Sequence, residues 1–227
     1  MAARRTKRDR IVDAAMELAS DERWEAITLS QIAAGARLSL ADLRREFSSR
    51  THILSAFFAR IDAEMLAAAS GQEDEPAIRD RLFDLIMCRF DALGPFKPAL
   101  RNIASGPATG PAAALAGLRR VLQSQRWILD AAGGAAPGLR GQVKTCGLAA
   151  IYLDVFSVWL DEDDPGLPRT MARLDRQLRR GEWLLERGEM PISLAGNLVC
   201  AITRCARRAR EADPAPSHAA TGAAGDA

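Results

Sequence analysis

The sequence predicts an all-α protein that begins with a three-helix, helix-turn-helix unit, and three observations carry the prediction. Ala, Leu and Arg dominate a composition that is 48% hydrophobic and 26% charged but only 5% aromatic, with one Tyr, so helix formers outweigh strand formers. Apolar residues recur at three- and four-residue spacing along most of the chain, the mark of amphipathic helices. Two cap patterns, Thr28 with Gln31 and Ser39 with Asp42, start two short helices with a tight turn between them.

The first stripe is Ile11, Ala14, Ala15 and Leu18, with Asp13 and Glu17 on the wet side; it predicts a helix over about residues 8–20. Asp21, Glu22 and Arg23 break the stripe, and Trp24 offers an apolar anchor. Thr28 and Gln31 fit a capping box before a short helix that turns Leu29, Ile32 and Ala33 inward. Gly35 to Leu38 reads as a turn. Ser39, with Asp42 as its reciprocal partner, then starts a helix of about two turns that directs Leu40, Leu43 and Phe47 to the core. Ala41, Arg44, Arg45 and Ser48 are left outside, and a longer helix follows Ser48-Ser49 through Ala67.

Further along, Pro76 can open a helix with Ile78, Leu82, Phe83, Leu85, Ile86, Phe90 and Leu93 on its apolar side, which Gly94-Pro95 ends. A short segment at 99–104, a Gly/Pro-rich loop at 105–111 and a helix over about 112–132 come next. Residues 139–160 are the most apolar stretch, crowding Ile151, Val155, Phe156 and Trp159 on more than one face, so a central or interface helix is expected with 168–185 as its companion. The acidic run Asp161 to Asp164 before Pro165 reads as a helix stop and a solvated loop, with no metal assigned. A last amphipathic stretch at 192–210 ends in arginines, and an Ala/Pro/Gly-rich tail after it is expected to be disordered. The boundaries drawn from this are a helix-turn-helix unit at 1–60 with a basic arm, a larger helical ligand-binding and dimerisation part at 61–188, an amphipathic helix at 189–211 and a tail at 212–227.

Charge points the same way as pattern. The net +2 of the 227 residues hides 11 Lys/Arg against 8 Asp/Glu in residues 1–60, and much of that excess is Arg4, Arg5, Lys7, Arg8 and Arg10 against Asp9. Such an arm neutralises phosphates, although an ordinary solvated terminus has the same composition. Four scattered cysteines, Cys88, Cys146, Cys200 and Cys205, form no C-x-x-C pair, and no apolar core follows the N-terminal charges, so a reducing cytoplasm is expected. No window reaches about 18 uninterrupted apolar residues. His52 and His218 are the only histidines; no nucleophile–base constellation, phosphate loop or metal cluster accompanies them, so no catalytic residue, cofactor or metal is assigned and an enzyme is not expected.

A short helix, a turn and a second short helix with a basic outer face is the geometry that lays one helix across a phosphate backbone and the other in the major groove. Ala41 is small enough to let the helix approach base edges, and Arg44 and Arg45 can donate in pairs to guanine or to phosphate. The competing reading is a three-helix packing module with incidental arginines.

At this point the sequence resembles a known family. Ile11 to Leu18, then Ile32-Ala33-Ala34-Gly35-Ala36-Arg37-Leu38-Ser39, then Leu43, Phe47, Ser49-Arg50 and Ile53-Leu54 look like the N-terminal domain of TetR-type regulators, over about the first 60 residues. The resemblance implies an Ω-shaped, all-helical homodimer that binds a palindromic operator in double-stranded DNA, and a larger C-terminal domain that accepts a small ligand and releases DNA. By motif position it puts Thr28, Ser39 and Arg50 at phosphates and Ala41, Asp42, Arg44 and Arg45 near bases. The sequence departs from the pattern at the turn, where Arg37 replaces the usual Gly, at Leu40, and at Arg44-Arg45; Asp42 and Glu46 oppose phosphate.

The later part of the chain carries a second resemblance. The helix at 76–93, the run Ile151 to Trp159, the acidic loop and residues 170–178 look like the ubiquinone-biosynthesis lipid-binding accessory family, similar in fold to TetR proteins. That implies a hydrophobic pocket for an isoprenoid lipid, a dimeric helix pair and a membrane-touching amphipathic helix, for which 192–210 is the counterpart. From the residues themselves, Phe83, Met87, Phe90, Phe96 and Trp127 are candidates to line a pocket for a small apolar ligand, with ordinary core packing as the alternative. Ile151, Val155 and Trp159, with Leu174 and Leu178, are candidates for a four-helix dimer interface.

Overall fold

A computed structural model of the chain describes residues 5–69, 77–106 and 111–186. Helix α1 (Lys7–Asp21) is launched by a capping box: the Thr6 hydroxyl accepts from the Asp9 N–H at 3.1 Å while the Asp9 carboxylate accepts from the Thr6 N–H at 3.0 Å. Lys7, Arg8 and Arg10 therefore belong to the first turn of a helix and not to an extended arm. Arg4 lies outside the described residues. Helix α2 (Leu29–Gly35) starts at the Thr28–Gln31 capping box, and α3 (Leu40–Glu46) starts at Ser39. At Ser39 the expected reciprocity is altered, because Asp42 accepts from the Ser39 hydroxyl at 2.7 Å and not from its N–H.

Between α2 and α3 the chain reverses at Arg37, whose φ of +53° puts a non-glycine residue in the left-handed region. Arg10 on α1 donates to the carbonyls of Ala36 and Arg37, so a cation holds the turn from behind. Below it, Ile11, Ala15, Ile32, Leu43 and Phe47 are buried together.

Helix α4 (Arg50–Ala69) continues without interruption through the boundary drawn at residue 60. Phe57, Ile61 and Met65 along it are buried in the same apolar cluster as Ile11 and Leu43, so no linker separates the two parts. Helix α5 (Ile78–Leu93) packs on it, and the expected break at Gly94-Pro95 becomes a 3-10 turn, Gly94–Phe96, that feeds straight into α6 (Lys97–Ser105). The reason is local: Gly94 holds helical dihedrals (φ −48°, ψ −50°), and Pro95 and Pro98 sit where a helix start needs no N–H donor.

Helices α7 (Pro111–Ala131), α8 (Gly138–Asp161) and α9 (Pro168–Glu186) complete the described fold. Length and composition alone would let α8 cross a membrane, yet 56% of its apolar window is buried inside the protein. At its centre Phe90 stacks on Trp159 at 5.3 Å and on Tyr152 at 5.6 Å between ring centroids. Beside that stack the buried Arg89 guanidinium donates to Asp62, Ser124 and the Tyr152 hydroxyl; burial opposes its charge, and Tyr152 and Asp62 keep it protonated.

The acidic loop is not wholly solvated, because Glu162 is buried and its carboxylate accepts from the Arg169 N–H at 2.7 Å and from the Thr170 N–H at 2.8 Å and hydroxyl at 2.5 Å. It caps α9 from outside, and although burial opposes the charge, these bonds hold its carboxyl below the ordinary value. Residues 189–227, with Cys200, Cys205 and the expected amphipathic stretch at 192–210, lie outside the described residues.

Candidate nucleic-acid interface

Helix α3 turns Leu40, Ala41, Arg44 and Arg45 to solvent and buries Leu43, with Phe47 closing the core just past its end. Leu40 was expected in that core. It is 50% exposed, because the core is already closed by Leu43 and Phe47 and a residue in the first turn of so short a helix stands beyond it. The outer surface is thus a small apolar patch, Leu40 and Ala41, followed one turn later by two arginines.

The cations of this face differ in how far they are committed. Arg44 and the side chain of Arg37 make no hydrogen bond or ion pair among the described residues. Arg45 stands 3.5 Å from Asp42 and Lys7 stands 3.0 Å from it. The Ser39 hydroxyl, and then Lys7, hold the Asp42 carboxyl down at about 2. Asp42 is therefore a cap partner and an ion-pair centre. Arg5 pairs with Asp13 at 3.1 Å, and Arg8 lies 4.4 Å over the Phe47 ring while donating to the Glu46 carbonyl at 3.3 Å.

The residues put at phosphates are likewise engaged elsewhere. The Thr28 hydroxyl donates to Gln31 Oε1 at 2.8 Å and accepts from the Gln31 N–H at 3.2 Å, and the Ser39 hydroxyl donates to Asp42 and accepts from its N–H, so each is engaged in its own helix cap. The Arg50 guanidinium donates to the carbonyls of Trp24, Glu25 and Ile27 at 2.7, 3.0 and 2.6 Å. Through Nη1 it fastens the loop before α2 to α4. Sequence reasoning missed the partners of Arg50, Arg8 and Arg10, because they lie 23 to 38 residues away and leave no local signal.

Two links tie this face to the helical body. Asn102 on α6 donates from its side-chain amide to the carbonyls of Ala19 and Ser20 at 2.9 and 3.1 Å, filling acceptors at the end of α1. From the other side of α6, Arg101 donates to the Leu160 carbonyl at 2.7 Å and to Asp163 at 2.6 Å, and Lys97 donates to the Glu162 carbonyl with its ammonium 4.9 Å from the Trp159 ring.

The expected pocket residues do not converge. Phe90 belongs to the aromatic stack, Phe96 packs edge-on against Phe57 at 4.9 Å, Met87 packs on the core, and Trp127 is 52% exposed. Phe83 lines a cleft of about 370 Å³ between α5 and α9, with Arg79, Asp84, Met171, Asp175 and Leu178. The expected dimer residues are also redistributed: Val155, Trp159, Leu174 and Leu178 are buried within the chain, which leaves them no surface for a second copy. Ile151 is partly buried against the same core. Among the described residues no group of three or more His, Cys, Asp or Glu is placed to hold a metal ion.

Comparison with solved structures gives the same architecture. The chain is 29% identical to a TetR transcriptional regulator from Nitrosomonas europaea ATCC 19718, with a TM-score of 0.66 over 79% of this chain and 100% of that one. A TetR transcriptional regulator from Rhodococcus sp. RHA1 shares the fold at 20% identity and a TM-score of 0.58, over 76% of this chain and 93% of that one. No family model and no curated protein matches the chain. With its capped helix-turn-helix, its all-helical body and this likeness, the chain has an all-α, TetR-like fold.

Proposed function

We propose that the chain is a cytoplasmic, DNA-binding transcriptional regulator that acts as a homodimer on a palindromic operator, with residues 1–60 reading DNA and the helices of 61–188 dimerising and answering to a small apolar ligand. The observation that carries this reading is Arg44: an arginine on the exposed face of the second helix of a helix-turn-helix, with no carboxylate holding it and with Ala41 small enough beside it to allow close approach. Arg45 and Arg37 extend the positive surface. A carboxylate pair in place of the two helix arginines, Arg44→Glu with Arg45→Glu, is expected to abolish binding to duplexes selected from a random pool while leaving the circular dichroism of the helices unchanged. Unchanged binding would sink the proposal.

Dimerisation draws support from the exposed apolar residues Trp183 and Leu185 near the end of α9; light scattering at micromolar concentration is expected to give twice the chain mass. A second reading, a lipid-binding accessory protein of the ubiquinone-biosynthesis type, is supported by the sequence of residues 192–210, whose apolar run ends in Arg204, Arg207, Arg208 and Arg210. It requires the purified protein to float with anionic liposomes and to carry an extractable lipid.

A further inference from the structure

Between Arg5 and Ala68, Leu40 is the one large apolar side chain among the described residues that is exposed, and it stands one turn before the two arginines of α3. Its neighbours there are Ala41, Arg44 and Arg45. A half-exposed leucine contributes little to a core that Leu43 and Phe47 already close, and on a surface meant to meet phosphates a polar residue would be the ordinary occupant. An apolar contact is useful at a base edge in one case: the C5-methyl group of thymine is the single apolar feature the major groove displays.

We propose that Leu40 is a specificity residue that reads a thymine methyl group in each operator half-site, next to a guanine taken by Arg44. This deepens the reading of the chain as a DNA-binding regulator and rests on it. Leu40 and Arg44 are four residues apart on one helix, so they share a stripe and stand about 6 Å apart along its axis. With base pairs spaced about 3.4 Å, the half-site holds its thymine within about two base pairs of the guanine. Ala41 lies beside this stripe and keeps the backbone close, which brings Leu40 within van der Waals reach of the methyl group. Asp42, held by Ser39 and Lys7, does not compete for the same edge.

The test uses full-length protein and duplexes enriched from a random pool at two salt concentrations. In the enriched duplex each candidate thymine is replaced by deoxyuridine, which removes the methyl group and nothing else. Wild-type protein is expected to bind the uracil duplex about fourfold more weakly at one position per half-site, the worth of one buried carbon. Leu40→Ala, a change at an exposed site that leaves the fold intact, is expected to bind thymine and uracil duplexes equally. Equal binding of both by wild type, discrimination that survives in Leu40→Ala, or a half-site with no thymine near the guanine overturns the assignment to Leu40 while DNA binding stands. If no duplex is enriched at either salt, both the assignment and the DNA-binding reading fall.

Discussion

Lys7 Nζ lies 3.0 Å from Asp42 Oδ1, and this ion pair ties the first turn of α1 to α3. It also places a negative charge on the face proposed to meet phosphate. Asp42→Asn is expected to free Lys7 and Arg45, to raise affinity for duplex DNA at low salt, and to steepen the slope of log affinity against log salt by about 1 for each of the two that gains a phosphate. Fluorescence anisotropy across a salt series measures this; an unchanged slope would show that neither cation reaches DNA.

The same carboxyl sets a pH dependence. Its value in the folded protein, about 2, lies below the ordinary 3.8 because Ser39 and Lys7 favour the charged form. The stability it contributes is therefore present above pH of about 4 and is lost as pH falls through about 2. Thermal melts of wild type and Asp42→Asn are expected to converge over that window, and a constant difference down to pH 2 would contradict the pairing.

Arg50 separates a structural role from a DNA-contacting one. Arg50→Ala removes three charged hydrogen bonds to carbonyls and is expected to lower stability by about 2–3 kcal/mol. The salt slope of DNA binding should stay as in wild type when measured well below the melting temperature. A slope reduced by about 1 would return Arg50 to the phosphates.

Arg37 carries opposite effects on folding and on binding. Arg37→Gly relieves a left-handed residue of about 1–2 kcal/mol of strain and restores about 1 kcal/mol of chain entropy to the unfolded state. The melting temperature is expected to hold or rise slightly, while DNA affinity falls and the salt slope loses about 1. Loss of both properties together would mean that the guanidinium supports the turn.

In the body, Arg89→Met leaves the mostly buried Asp62 with the Ser124 hydroxyl but without its cation and is expected to cost about 3–5 kcal/mol in urea unfolding. Adding Asp62→Leu is expected to recover most of that loss. A double variant no better than the single one would show that the network, not the charge pair, holds α4, α5 and α7 together.

What the sequence disclosed follows the range of the forces involved. The caps at Thr28 and Ser39 were legible because a hydroxyl and its acceptor lie three residues apart. The Thr6–Asp9 cap has the same pattern, and it turns residues read as an arm into helix. In the body, Pro111, Gly138 and Pro168 fix the helix starts to within a residue of the expected places. Leu40 was misplaced because periodicity gives a direction around a helix but not where the core ends. Arg50, Val155 and the Lys7 pairing of Asp42 took roles set by residues far along the chain, which no local pattern records. Gly94-Pro95 shows that a break signal can equally start the next helix.

Helix α6 reaches α1 through Asn102 and α8 through Lys97 and Arg101, and one apolar cluster runs from Ile11 to Leu178. The helix-turn-helix unit is consequently not a transplantable module. A fragment ending near residue 69 would leave the side of α1 that faces α6 open to water and the carbonyls of Ala19 and Ser20 without Asn102. Grafting these helices onto another effector domain would require carrying α6 along, or rebuilding its face in the new host.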